Sequence, residues 1–111
     1  MTEPIGPEHM RRLPWTDAQG GAEYASPTEG VDRIADSTER HTITMARNDA
    51  VYALAMAQRP EVSRDELCRL VEMLAGHVRG VASVAEMREE RLNSPAAKVI
   101  EEALRAALGQ R

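Results

Sequence analysis

A chain of 111 residues with 42% hydrophobic side chains and no phenylalanine holds one modest domain, its interior built from Ala, Val, Leu, Ile and Met. The formal net charge of −4 divides into 9 acids and 6 bases through Pro60 and 9 and 8 beyond it, so neither half has the basic excess that phosphate neutralisation needs. No 18-residue apolar run and no cysteine besides Cys68 exclude a membrane span, an internal disulfide and a multi-cysteine zinc site. The N-terminus carries no apolar leader core, and the cytoplasm is the expected compartment.

Residues 1–25 are predicted to form a flexible arm. Met1–Arg12 is polar and aperiodic with two prolines, the composition of a disordered segment. Leu13-Pro14-Trp15-Thr16 and Ala22-Glu23-Tyr24-Ala25 flank a glycine turn, a pattern compatible with a short β-hairpin over 13–25. An isolated hairpin is marginal in water, so Trp15 and Tyr24 are expected to face the helices. Trp15 also has the large amphipathic ring that anchors partners at interfaces.

Residues 26–111 are predicted to be a helical domain. The expected class is all-α: a long antiparallel helical hairpin plus a short third helix, over about 27–58, 64–91 and 95–108. Three serines punctuate it. Ser26-Pro27-Thr28-Glu29 and Ser63-Arg64-Asp65-Glu66 combine an N-cap hydroxyl with a glutamate three residues on, and Ser94-Pro95 places proline at the first helical position. In the first helix Val31, Ile34, Ala35, Met45, Ala46, Ala50, Ala53, Leu54 and Ala57 recur at helical steps, and Arg59-Pro60 stops it. Its weak points are Gly30 and the branched run His41-Thr42-Ile43-Thr44, with Asp36-Ser37-Thr38-Glu39 as an alternative second start; one continuous helix is expected.

The second helix has the cleanest signal. Leu67, Leu70, Leu74, His77, Val81 and Val84 alternate three- and four-residue steps, a coiled-coil seam flanked by Val71, Val78 and Ala85. Gly76 and Gly80 together cost about 2 kcal/mol of helix propensity, which close approach of another helix would offset. The third helix is expected to bury Ile100, Ala103, Leu104 and Ala107 and to stop at Gly109.

Most charges fall four apart, acid before base: Glu29 with Arg33, Asp36 with Arg40, Asp65 with Arg69, Glu101 with Arg105. Asp32 and Asp36 lack the histidine partners of a di-metal bundle and read as a solvated face. His77 sits in the apolar seam, either bonded to a group on the facing helix or acting as a pH-sensitive contact. Cys68 has no histidine–acid arrangement beside it and reads as a packing residue or inert thiol. Acids interleave the arginines of the second helix, and the third carries too few bases to read a DNA groove.

With these residues in view, the chain resembles an uncharacterised family of small actinobacterial helical proteins. The likeness runs over about 13–92. It rests on Leu13-Pro14-Trp15-Thr16, the glycine turn at Gly20, Arg33-Ile34-Ala35-Asp36-Ser37-Thr38-Glu39, and Val81-Ala82-Ser83-Val84-Ala85-Glu86-Met87-Arg88. Leu74-Ala75-Gly76-His77-Val78 gives a weaker likeness to short helical proteins found beside natural-product gene clusters. Both imply a helical fold and neither implies an activity.

The expected function is therefore a non-enzymatic adaptor or regulatory protein acting by helix packing. The alternatives are a small DNA-associated transcriptional regulator and an accessory protein or enzyme of secondary metabolism. Trp15, Tyr24, Leu67, Leu70, Leu74, His77, Val81 and Val84 are the expected contact residues. No catalytic residue, metal or cofactor is assigned. The expected partners are a second copy, with the 67–84 seams together in a four-helix arrangement, and an unidentified protein.

Overall fold

The computed structural model describes residues 10–109. It contains strands β1 (Arg11–Thr16) and β2 (Ala22–Ala25) and helices α1 (Glu29–Ala57), α2 (Arg64–Leu92) and α3 (Pro95–Gly109). The protein is mainly helical, and the two-stranded antiparallel sheet corrects an all-α assignment. Among the described residues, no helix is long and apolar enough to cross a membrane.

The hairpin begins two residues before the predicted start. Arg11 pairs with Ala25 and Arg12 with Tyr24, so these two arginines belong to a strand; the rest of the predicted disordered segment, residues 1–9, lies outside the described residues. Between the Arg12–Tyr24 and Thr16–Ala22 pairs β1 takes four steps where β2 takes two. Pro14, which has no N–H to give a ladder, falls in that irregular stretch. At the turn the Asp17 carboxylate accepts from the amides of Gln19 (2.9 Å) and Gly21 (2.8 Å). Gly20 has φ +82°, a left-handed conformation that side-chain-bearing residues rarely adopt.

α1 is continuous from 29 to 57. Its cap is Thr28 rather than Ser26: the Thr28 hydroxyl accepts from the Val31 amide at 3.2 Å. The branched run does not break the helix, and the Thr38 and Thr42 hydroxyls donate back to the carbonyls of Ile34 and Thr38, which meets their own hydrogen-bonding need. Ser63 caps α2 through the Glu66 amide (3.1 Å), and the Ser94 hydroxyl accepts from the Ala97 amide (3.2 Å) at the start of α3.

α1 and α2 pack antiparallel, as the cross-contacts Glu39–Arg91, Thr42–Gly80 and Asp49–His77 show. The core is thin and concentrated at one end. Leu13 of the hairpin, Ala35 of α1, and Val84 and Met87 of α2 are buried there, together with Arg11 and Glu39; Ala53 is buried towards the loop end of α1. The α1–α2 contact is close at Gly80, where an added Cβ would stand 3.2 Å from the Thr42 methyl. Gly76 faces open space, so the close approach expected at both glycines exists at one.

α3 departs furthest from expectation. Ile100, Ala103, Leu104 and Ala107, expected inside, are exposed, with Ile100 at 61%. Two of the four predicted helical ion pairs close, Glu29–Arg33 and Glu101–Arg105. Asp36 turns instead to Arg11, and no Asp65–Arg69 bridge forms among the described residues.

Candidate functional site

The polar centre of the molecule joins three elements that sequence proximity keeps apart. Glu39 lies on the buried face of α1, one turn from Ala35, and is 1% exposed. Arg91 Nη1 and Nη2 donate to its two carboxylate oxygens at 2.9 and 2.8 Å, a bidentate pair from the end of α2. Arg88 Nε stands 3.5 Å from Oε1. From β1, the buried Arg11 donates to Asp32 (2.8 Å) and Asp36 (2.7 Å) and sits 3.4 Å from Glu39. Three guanidinium groups and three carboxylates thus fasten the hairpin to both long helices, with balanced charge. Among the described residues, the Arg11 Nε alone is buried without a partner.

The electrostatics follow from this geometry. Burial pushes the Glu39 carboxyl up, but the hydrogen bonds and charge of Arg91 and then Arg11 outweigh it, and the group ionises below the ordinary glutamate range. The Arg11 hydrogen bond holds Asp36 below the aspartate range, against a smaller opposing effect of burial. Burial by itself favours the neutral form of Arg11, yet its bonds to Asp32 and Asp36 and the surrounding negative charge raise its pKa further. Glu39 and Asp36 are therefore ionised and Arg11 charged at neutral pH. Its acids are consumed by arginines, and among the described residues no group of His, Cys, Asp and Glu is placed to hold a metal.

None of Arg11, Glu39 and Arg91 is among the expected contact residues: Glu39 enters the sequence reading only in an alternative helix start and the motif of the family likeness, and Arg91 only among the acid-interleaved arginines of the second helix, although two signals point to them. Glu39 interrupts the apolar face of α1, four residues after Ala35. Continuing the α2 seam past Val84 by steps of four and three lands on Arg88 and Arg91.

The seam residues are placed on the α1 side to different degrees. Val84 is buried, Leu70, Leu74 and His77 are half-buried, and Leu67 and Val81 remain more than a third exposed. His77 Nε2 lies 2.6 Å from Asp49 Oδ2 on α1. That bond is made by the neutral Nε2–H tautomer and by the imidazolium alike, so the geometry is compatible with both charge states. Cys68 is exposed, which removes a packing role within the chain.

Trp15 and Tyr24 do not share an environment. Trp15 joins Leu13, Ser83 and Met87 around a shallow recess of about 140 Å³ between hairpin and α2, with 37% of its surface exposed. Tyr24 is 48% exposed. The recess is lined by polar and apolar groups alike, Arg12, Thr16 and Ser83 among the former, and no nucleophile–base pair converges on it. Compared with known proteins, the chain matches no family model, no curated protein and no solved structure.

Proposed function

We propose that the protein is a non-enzymatic cytoplasmic adaptor or regulatory module that self-associates and holds a protein partner by helix packing. One observation carries this reading: α3 presents Ile100, Leu104 and Leu108, a single helical row, each more than half exposed. A row of that kind on an amphipathic helix is the anchor set of helix-in-groove recognition. The partly open Trp15 beside the hairpin recess supplies a second anchor of the type that dominates interfaces.

The test uses the full chain as bait in a lysate of its source organism, beside the double variant Ile100→Glu/Leu104→Glu. Both positions are exposed, so the variant keeps its helices, which circular dichroism checks. The reading predicts a protein held by the parent chain and lost from the variant. Identical sets on both baits contradict it.

A further inference from the structure

α2 carries a second alternating stripe that its contact with α1 does not use. Cys68, Val71, Ala75, Val78, Ala82 and Ala85 recur at steps of three, four, three, four and three, the spacing that keeps one helix face against another. All six are exposed, Val71 at 65% and Val78 at 67%. α1 covers a different side, through His77 and Gly80, and the hairpin a third, over Ser83 and Met87. The next steps outward from the stripe are charged and opposite in sign: Arg64 at one end and Glu89 at the other.

We infer that this stripe is where a second copy of the chain docks, α2 against α2, antiparallel about a two-fold axis. The inference rests on the self-association proposed above and adds the face, the direction and the register. A two-fold contact pairs residue i with j and j with i. Setting Ala75 opposite Val78 of the second copy also sets Val71 opposite Ala82 and Cys68 opposite Ala85. Each valine then meets an alanine, which suits helix axes about 8 Å apart.

The same register places Arg64 opposite Glu89 at both ends of the contact. On the flank, one position past Val71 and Val78, it brings Glu72 beside Arg79. Among the described residues, the structure gives none of these four side chains an ion pair within its own chain. Asp65 and Glu86 meet as like charges at the ends of that flank, where solvent screens them.

The native Cys68 supplies the test. In this register Ala85→Cys puts a thiol opposite Cys68 of the second copy, so mild oxidation converts the variant to a covalent dimer. The parent chain does not cross-link, because its two Cys68 residues lie 17 helical steps apart across the contact, about 25 Å. Within one chain, positions 68 and 85 are equally far apart, so an internal bridge cannot form. Independently, Arg64→Glu and Glu89→Arg should each weaken association several-fold, up to about tenfold, and the double variant should return it to within about threefold of the parent. Positions 64 and 89 stand about 37 Å apart on one helix, so that rescue arises only between copies. A dimer with neither cross-link nor rescue overturns the face and register while leaving self-association in place. A monomer by light scattering at every concentration overturns both.

Discussion

Glu39 decides whether the hairpin end of the molecule holds together. A carboxylate at 1% exposure is tolerable only because Arg91 meets both its oxygens and Arg11 and Arg88 stand close by. Glu39→Gln keeps the shape and removes the charge, leaving Arg11 buried with less compensation. We expect a loss of about 3 kcal/mol, the lower end for breaking one side of a buried pair, since Arg91 is partly solvated. Urea unfolding measures it. The same residues set an acid dependence. Glu39 and Asp36 ionise below their ordinary values, so their contribution is complete above the unfolded range and is lost as pH falls through the lowered folded values. Amide exchange should show β1 protected at neutral pH and opening only as the pH falls below the ordinary carboxylate range, with the middle of α1 and α2 still protected.

The two α2 glycines separate helix propensity from packing. Gly76→Ala adds a methyl in open space and should stabilise the protein by about 0.8–1 kcal/mol. Gly80→Ala gains the same propensity but presses its methyl against Thr42 Cγ2, so the gain is smaller. Adding Thr42→Ser removes that methyl and should recover most of the difference, as thermal unfolding of the set would show. The elements themselves were legible because caps and periodicity are local. Ser63 and Ser94 mark their helix starts to the residue, and the seam from Leu70 to Val84 marks a helix contact, though it lies against α1 of the same chain where the seam of a second copy was expected. The Thr28 cap was missed because Ser26-Pro27 imitates the same signal two residues earlier. The Glu39–Arg91 pair was illegible for another reason: 52 residues separate its members, and no local pattern encodes a contact at that distance. α3 was misjudged because its amphipathic pattern says that a face seeks cover and not that this chain provides it.

At the scale of the whole molecule, the chain is extended and flat. It measures 64 × 44 × 19 Å with a radius of gyration of 19.6 Å, against about 13 Å for a compact domain of this length. Its few buried side chains gather where the hairpin meets both long helices, and apolar surface stays open along α2 and α3. Small cores gain little by growing within one chain, and association is the common remedy. Sedimentation equilibrium of the full chain over a wide concentration range tests this most directly. The account predicts a mass rising from 12.2 kDa towards twice that value, with Val78→Glu remaining helical but fixed at the lower mass. A parent chain that stays at 12.2 kDa throughout contradicts it.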